Sequence, residues 1–324
     1  MIQPAAPGYR RIALPLPFAL RSVNAYLVEG DGAAIVDCGL HTESAERALI
    51  DGLAQAGLAP KDVRDVFVTH LHPDHIGMAG WLEKAGARVR MHAPEAEAAR
   101  AMWFGARERI DIAVTWFREH GMPEKVLEGM ADAWLGTAAR VDPIARIDTA
   151  RDGEVIELAG RRFQLVWTPG HTDYHAVLVD LDERVLVAGD HVLPRITPNI
   201  GLYPYGREDP LGDFIAALER VSTLDVRRVL PAHGEPFDDL VGRAREIIAH
   251  HRARLEVVRE ALTGTVRTAY ELATSLFPNL RSPHEERFAI AETLAHLRHL
   301  ELRGQVLRDG AKPVRWRLSS EVRD

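Results

Sequence analysis

The chain has 324 residues, of which 46% are hydrophobic and 27% are charged, which is an ordinary composition for a globular protein. Its formal net charge of −7 provides no overall basic field that would favour nucleic acid or an anionic membrane. Cys38 is the only cysteine, which excludes an intrachain disulfide and a zinc–thiolate site and is consistent with a reducing compartment.

The N-terminus of the chain lacks the pattern of a signal peptide, and no apolar run approaches the ~18–20 residues of a membrane helix. A cytoplasmic protein without membrane attachment is therefore predicted.

The first part of the chain alternates strand-like runs with helical stretches. The predicted elements before residue 95 are strands at 11–18, 23–29, 33–37, 63–68 and 87–91 and helices at 44–56 and 79–84. Residues 95–137 are rich in alanine and tryptophan at helical spacing. They predict a helical insertion, either as ordinary packing surface or as a cap with an apolar wall over a site.

The second part repeats the order of strands, helix and strand. Its predicted elements are strands at 154–158, 163–167, 176–179, 184–188 and 226–230 and helices at 211–221 and 239–262. The repeated order predicts an α/β fold, a four-layer αββα sandwich of two similar halves over residues 1–238, followed by a connecting helix at 239–264. Residues 265–324 contain two helices and a hairpin in an order that resembles a winged helix.

Potential metal ligands are concentrated directly after the strand at 63–68. The stretch Thr69-His70-Leu71-His72-Pro73-Asp74-His75 places four of them within six residues. On an extended backbone, side chains two residues apart leave the same face, so His70 and His72 converge on one point. Pro73 ends the strand, and Asp74 and His75 then reach a second point nearby from a helix start. This arrangement is typical of a two-metal site.

Three later strands end in the same way. His171, Asp190 and His233 each follow an apolar strand-like run, in Thr-Pro-Gly-His, Gly-Asp-His and Pro-Ala-His-Gly contexts. Ligands at the carboxyl ends of successive strands can meet at one rim of a sheet, where glycine allows the backbone to approach closely. A single histidine of this kind is more often structural, but four such strand ends in one chain predict a metal centre.

Together these residues resemble the ligand set of the metallo-β-lactamase superfamily, and the resemblance covers roughly residues 11–237. It implies the αββα fold and an assignment of ligands. His70, His72 and His171 would hold a first metal; Asp74, His75 and His233 would hold a second; Asp190 would bridge them, and Asp74 and Asp190 are the candidate catalytic carboxylates.

The ligand types agree with zinc, although iron or manganese is also compatible. Two Zn²⁺ ions sharing a hydroxide would provide a nucleophile near neutral pH. No Gly-x-Ser-x-Gly motif occurs, so a serine nucleophile is not indicated. Asp37 resembles the carboxylate with which the superfamily orients its ligands, but a plain turn residue is an equally good interpretation. His191 is a candidate proton donor to a leaving group, but an orienting or solvent-facing histidine is the favoured interpretation. His284, His296 and other helical histidines are interpreted as surface or packing residues.

Asp190 also separates the branches of the superfamily. Because typical β-lactamases generally have another residue at the bridging position, the resemblance implies the glyoxalase II, lactonase and nuclease branches, with a glyoxalase II-like metal site, rather than a β-lactamase. The tail and the loop that starts at Asp190 resemble the β-lactamase-like proteins that include thioesterases and an endoribonuclease.

The predicted function is therefore hydrolysis of a small-molecule acyl substrate such as a thioester or lactone, in which the bridging hydroxide attacks the carbonyl. Tyr203 and Tyr205 are candidates for contact with an apolar acyl group, and Arg195 or Arg207 for contact with an anionic part. The alternative is a metal-dependent endoribonuclease whose tail holds RNA. It is less favoured because the tail's arginines are accompanied by nearly as many acids. A lid or a homodimer contact is the simpler role for the tail.

Overall fold

The computed structural model describes residues 2–17 and 20–320. Phe18, which ends the first predicted strand, and residues 321–324 of the predicted tail lie outside these ranges. Two sheets and the helices around them form most of the molecule. Among the described residues, no helix is long and apolar enough to cross a membrane.

The first sheet has seven strands in the order β1-β2-β3-β4-β5-β6-β7. They are β1 Ile2–Ala6, β2 Tyr9–Pro15, β3 Ser22–Gly30, β4 Gly32–Val36, β5 Val63–Val68, β6 Arg88–His92 and β7 Ile147–Ala150. The first four pair antiparallel, as the predicted meander requires, and β4 to β7 pair parallel. The two strands that were not predicted, β1 and β7, form the edges of this sheet and carry no long apolar run.

The second sheet has five strands in the order β12-β11-β10-β9-β8. They are β8 Val155–Leu158, β9 Arg161–Trp167, β10 Ala176–Asp180, β11 Val185–Gly189 and β12 Arg228–Pro231. Strands β8 to β11 pair antiparallel, and β12 pairs parallel with β11. Every predicted strand of this half is present.

Alternate residues of the central strands enter two different cores. In β5, Phe67 joins the cluster between the sheets, whereas Val66 and Val68 join the cluster beneath the helices. In β11, Val187 and Leu186 divide in the same way. A strand buried on both faces requires a continuous apolar run, which is what these segments show. The predicted four-layer αββα sandwich is confirmed.

Ten α-helices lie in the described part of the chain. They are α1 Glu43–Gln55, α2 Pro73–Ile76, α3 Ala79–Lys84, α4 Ala93–Ala99, α5 Ala106–Glu119, α6 Glu124–Ala138, α7 Pro210–Val221, α8 Leu240–Glu260, α9 Ala269–Leu276 and α10 Pro283–Leu302. Helices α4 to α6, with a π-helical turn at Arg100–Phe104, occupy the predicted insertion. Trp103 and Trp134 of this insertion are buried.

The C-terminal part packs against the insertion. Strands β13 Arg267–Thr268, β14 Val306–Arg308 and β15 Arg315–Leu318 form a small sheet beside α9 and α10. The order of helix, helix and hairpin is as predicted, with the short β13 added. The domain boundaries at residues 238 and 265 and the winged-helix assignment remain predictions.

Candidate metal centre

The loop between β5 and α2 supplies the first candidate ligands. His70 Nε2 and His72 Nδ1 lie 3.0 Å apart, so the two imidazoles converge as their spacing predicts. His72 keeps an extended backbone at the residue before α2, and Pro73 occupies the first helical position, where no N–H is needed. Asp74 and His75 follow in the same turn of helix, with the Asp74 carboxylate near the positive helix end.

The other candidate ligands follow three strands of the second sheet. His171 lies after β9, Asp190 directly after β11, and His233 shortly after β12. Strands β9 and β11 are both antiparallel to β10, and β12 is parallel to β11, so these three strands run in one direction. Their carboxyl ends therefore share one edge of the sheet, and that edge meets the loop after β5.

The candidate ligand atoms form three overlapping groups, each with its atoms within 4.8 Å of one another. The first group is His70, His72 and His171, and the second group is Asp74, His75 and His233. A third set, His70, His75 and Asp190, joins them, and Asp190 lies between the first and second groups. Its Oδ2 is 3.2 Å from His171 Nε2, and its Oδ1 is 3.5 Å from His233 Nε2. The Asp190 carboxylate is therefore close to both the first and the second group.

Acceptors hold the outer ring nitrogen of four of these histidines. The contacts of Nδ1 are His75 with Asp37 at 2.8 Å, His171 with the Asn199 carbonyl at 2.8 Å, His233 with the Ser22 carbonyl at 2.9 Å, and His70 with Thr69 Oγ1 at 3.0 Å. A neutral imidazole has one N–H, which these contacts place on Nδ1. The lone pair of each Nε2 is thereby directed at the centre, as metal-ligating histidines require.

The short distances between nitrogens of the first group are better explained by a bound cation than by hydrogen bonds. His72 Nδ1 lies 3.0 Å from His70 Nε2 and 2.9 Å from His171 Nε2. Because both neighbours present lone pairs, the one proton of His72 can serve at most one of these contacts. A bound Zn²⁺ with Zn–N distances of ~2.0–2.1 Å would hold such nitrogens about 3.3 Å apart. The observed separations are close to that value.

The second group and the neighbouring Asp190 contain buried polar atoms without hydrogen-bond partners in the part of the chain that the structure describes. They are His75 Nε2, His233 Nε2 and Asp190 Oδ1. Buried polar atoms are rarely left unpaired, so each calls for an unseen partner. Nitrogen and carboxylate donors without thiolate suit zinc and related divalent metals. The residues present thus fit bound divalent metal.

The electrostatics of the two groups differ. Burial lowers the pKa of His70 and of His72 well below the ordinary value, which keeps both imidazoles neutral and able to ligate. Burial also opposes charge on His75 and His233, but the surrounding carboxylates outweigh it. They raise the pKa of His75 well above its ordinary value and that of His233 to about 9. A divalent cation would neutralise these carboxylates in place of protons.

Asp37 holds the first loop and one ligand together. It follows β4 with φ of +58°, a conformation that aspartate tolerates better than most residues. Its Oδ1 accepts the Thr69 backbone N–H at 2.8 Å, and its Oδ2 lies 2.8 Å from His75 Nδ1. These contacts support the orienting role over the plain turn residue.

Two further residues of the centre were not assigned a role from the sequence. Glu95 is buried, and its Oε1 accepts the Leu71 N–H and the Thr172 hydroxyl, both at 2.8 Å, so it joins the loops that carry His72 and His171. Burial raises the pKa of Glu95 to about 7. The buried His175 accepts the Asp190 N–H at 3.2 Å. Only the nearness of His175 to the motif signals this role; Glu95 reaches the site through tertiary packing.

A cavity of about 850 Å³ opens over the candidate ligands. Its wall includes Trp103 and Trp134 of the insertion and Tyr203 and Tyr205 of the loop after β11. The two tyrosine rings are stacked with centroids 5.8 Å apart. The insertion therefore forms an apolar wall over the candidate ligands, as one of the two interpretations predicted. Both tyrosines line the same cavity, and their contact with an acyl group stays a prediction.

Two of the predicted substrate contacts are placed elsewhere. His191 is buried, does not line the cavity, and packs its ring against Phe214 with centroids 5.3 Å apart. Burial lowers its pKa to about 3, so it is no proton donor near neutral pH. Arg195 is exposed and also does not line the cavity. Arg207 does line it, but its Nε contacts Asp213 at 2.5 Å.

The C-terminal helix α10 contributes to the same cavity. His284, Arg287 and Phe288 line it, together with Ser282 before the helix. His284, which was interpreted as a surface or packing residue, packs its ring against Phe288 with centroids 4.7 Å apart and also lines the cavity. The sequence gives no local signal for these residues, because their place depends on how α10 packs against α6. The tail thus contributes to the wall of the cavity, and its role as a lid or a homodimer contact stays a prediction.

Comparison with known proteins assigns the fold and site to one family. Residues 19–233 match the family model of the metallo-beta-lactamase superfamily, which is more than half of the chain. The chain belongs to the metallo-β-lactamase superfamily. Residues 255–319 match a second model, the metallo-beta-lactamase-like C-terminal domain. This match begins within α8, ahead of the predicted boundary at residue 265.

Relatives within the superfamily cover nearly the whole chain. The probable metallo-hydrolase YqjP of Bacillus subtilis is 30% identical over 304 residues, covering 90% of this chain and 91% of YqjP. Human acyl-coenzyme A thioesterase MBLAC2 is 27% identical over 270 residues, covering 80% and 89%. The crystal structure of the metallo-beta-lactamase family protein TTHA1429 from Thermus thermophilus has a TM-score of 0.88 at 40% identity, covering 96% and 99%. The protein is a metallo-hydrolase of this superfamily.

Proposed function

We propose that the protein is a binuclear zinc hydrolase of acyl thioesters. The observation that carries the proposal is a complete two-group ligand set opening into a largely aromatic and apolar cavity. The similarity to an acyl-coenzyme A thioesterase along 89% of that relative supports the thioester over other acyl compounds. Lactones and related esters use the same chemistry and remain within the proposed class.

His70, His72 and His171 would hold one metal, Asp74, His75 and His233 the other, and Asp190 both. Two divalent cations bound there would polarise a substrate carbonyl and lower the pKa of water to near neutrality. The chain's own contribution is to orient these ligands, through Asp37 at His75 and through the carbonyls that accept from His171 and His233.

The cavity wall supplies the rest of the binding. Trp103 donates its indole N–H to the Leu71 carbonyl at 2.7 Å, which satisfies its polar atom and leaves the ring available for apolar contact. Tyr203 and Trp134 add apolar surface beside the candidate ligands. An acyl chain held against these rings would exclude water from the reacting carbonyl. A thiolate leaves without protonation, so the inaccessible His191 is no obstacle.

The endoribonuclease alternative has less support. The arginines that α10 and its neighbours carry are largely neutralised: Arg298 pairs with Glu301, Arg303 with Asp209, and Arg308 with Glu301. A protein that holds RNA needs several cations free to contact phosphates.

The proposal is tested with zinc-loaded protein on a panel of acyl thioesters, measured by thiol release, beside a single-stranded RNA. We expect thioester hydrolysis that His72→Ala abolishes. His250→Ala, which changes an exposed histidine of α8, should retain it. RNA cleavage that His72→Ala abolishes, with no thioester turnover, would instead establish the nuclease.

A further inference from the structure

Three arginines line the cavity, and they differ in how their charge is compensated. Arg207 contacts Asp213 and stacks on Trp167 at 5.2 Å. Arg140 is exposed to solvent. Arg287 is half-buried, and no carboxylate of the described residues lies within ion-pair distance of it. It is the cation of the cavity that is both partly removed from water and without an acidic partner.

The Arg287 guanidinium is held in place by neutral groups. Its Nη1 donates to Tyr203 Oη at 3.0 Å, and its central carbon lies 4.7 Å from the Trp134 ring centroid and 4.4 Å from that of Phe288. Aromatic rings on a guanidinium face stabilise the cation but leave the N–H groups at its edge unused. The Arg287 side chain is thus held in one position while several of its N–H groups remain able to donate hydrogen bonds.

The carboxylates of the cavity are engaged elsewhere. Asp173 accepts the Arg207 backbone N–H at 3.1 Å, and Glu285 accepts the Arg281 backbone N–H at 2.6 Å. Asp74 and Asp190 belong to the candidate ligands. An anion that enters the cavity would therefore meet Arg287 with its charge uncompensated.

We propose that Arg287 binds an anionic group of the substrate and so selects acyl thioesters that carry a carboxylate or a phosphate. This inference rests on the proposed thioester hydrolysis and deepens it. A guanidinium recognises either anion through two parallel N–H groups. The anion could belong to the acyl part, as a carboxylate at its far end, or to the leaving thiol, as the phosphates of a coenzyme A-type group.

Three substrates of equal acyl length separate these sources. The first joins a neutral acyl group to N-acetylcysteamine, the second carries a terminal carboxylate on that acyl group, and the third joins the neutral acyl group to coenzyme A. The quantity compared is the ratio of kcat/KM for each anionic substrate to kcat/KM for the neutral one.

In Arg287→Met we expect this ratio to fall about 10- to 100-fold for one anionic substrate, since a hydrogen bond to a charged group is lost. Arg287→Lys, which keeps the charge without the planar fork, should recover part of it. Arg195→Met removes the same net charge outside the cavity and should leave the ratio unchanged. Thermal unfolding of each variant confirms that it is folded.

A second measurement does not depend on turnover. Calorimetry should show that the anionic product, either the dicarboxylate or coenzyme A, binds metal-free protein more weakly when Arg287 is Met. An equal loss of kcat/KM on all three substrates, with unchanged product binding, would overturn the proposal and assign Arg287 to packing alone. Arg287-dependent product binding without any thioester turnover would retain the anion site and reject the thioesterase.

Discussion

The two ends of the cavity are built in different ways. At the metal end, short loops at strand ends supply the side chains, and hydrogen bonds of 2.8–2.9 Å fix His75, His171 and His233. At the other end, the wall is assembled from α6, the loop after β11 and α10, and Arg287 reaches Tyr203 and Trp134 across long stretches of chain. The reactive end is local and polar, whereas the other end is aromatic and tertiary.

From this difference we expect residues at the metal end to determine catalysis and residues at the aromatic end to determine which substrate binds. Changes at the metal end should affect metal binding and every substrate together. Changes at the aromatic end should shift the choice of substrate, or loosen the junction with the C-terminal part, while the metals stay bound.

The largest effect is expected from Asp190→Ala. Asp190 lies between the two ligand groups, so its loss weakens both. We expect most bound metal to be lost and kcat/KM on thioesters to fall on the order of 10³-fold, because metal catalysis contributes several kcal/mol. Elemental analysis and steady-state kinetics measure the two effects, and circular dichroism checks folding. Asp238→Ala, at an exposed carboxylate, serves as the control. Full metal content with full activity would exclude a shared ligand.

A smaller effect at the same end is expected from Asp37→Asn. The amide keeps the shape of the side chain but weakens the contacts with Thr69 and His75. Loss of such an orienting partner typically lowers metal affinity about 10- to 100-fold. Competition with a chelator measures it. Asp65→Asn changes another buried carboxylate, one bound to Arg88 and Arg90, and should leave the affinity unchanged. Equal affinities for Asp37→Asn and the wild type would return Asp37 to the role of a turn residue.

The metal end could be predicted from the sequence because its information is local. His70, His72, Asp74 and His75 adjoin one another, and the remaining ligands each follow a recognisable apolar strand. The same strands, buried on both faces, produce the continuous runs that also indicate the sandwich. The edge strands β1 and β7 have no such requirement, and they were missed.

The aromatic end could not be predicted for the opposite reason. Arg287 has one neighbour in sequence among its contacts, Phe288, and the others come from Trp134 and Tyr203. Arg195 and Arg207 were preferred because they lie on the loop beside the motif, but one is exposed and the other is paired with Asp213. Helix packing decides which arginine lines the cavity, and the residues next to an arginine in sequence do not indicate that packing.

At the junction of α8 and α10, stability should depend on pH. Burial lowers the pKa of His296 to about 4, and its Nε2 lies 3.4 Å from His251 Nδ1. Between about pH 4 and 6.5 the unfolded chain binds more protons than the folded one, so the stabilisation present above pH 6.5 is lost on acidification. We expect a loss of roughly 1–2 kcal/mol at pH 5 from this group.

Urea unfolding at pH 5 and 8 measures this loss. The difference in the free energy of unfolding between the two pH values should be smaller in His296→Gln than in the wild type. In His250→Gln, at an exposed position, the difference should stay close to that of the wild type. Identical pH dependence in His296→Gln and the wild type would count against the buried neutral histidine.

The smallest effect is expected where the two ends meet, at Asn199. Its carbonyl accepts the His171 Nδ1 proton, while its side-chain amide donates to Glu292 at 2.8 Å and to the Phe288 carbonyl at 3.3 Å. Asn199→Ala keeps the carbonyl but cuts the link to α10, so metal affinity should fall only about 3- to 10-fold, the equivalent of one net hydrogen bond. Chelator competition again provides the measurement.

A comparison variant decides whether Asn199 itself couples the two ends. Arg298→Met breaks the contact of α10 with Glu208, together with the Arg298–Glu301 ion pair inside the helix, and leaves Asn199 untouched. If α10 supports His171 through Asn199, this variant should bind metal as the wild type does. An equal loss of affinity in both variants would mean that any loosening of α10 suffices, and that the C-terminal part acts on the metal end through general packing.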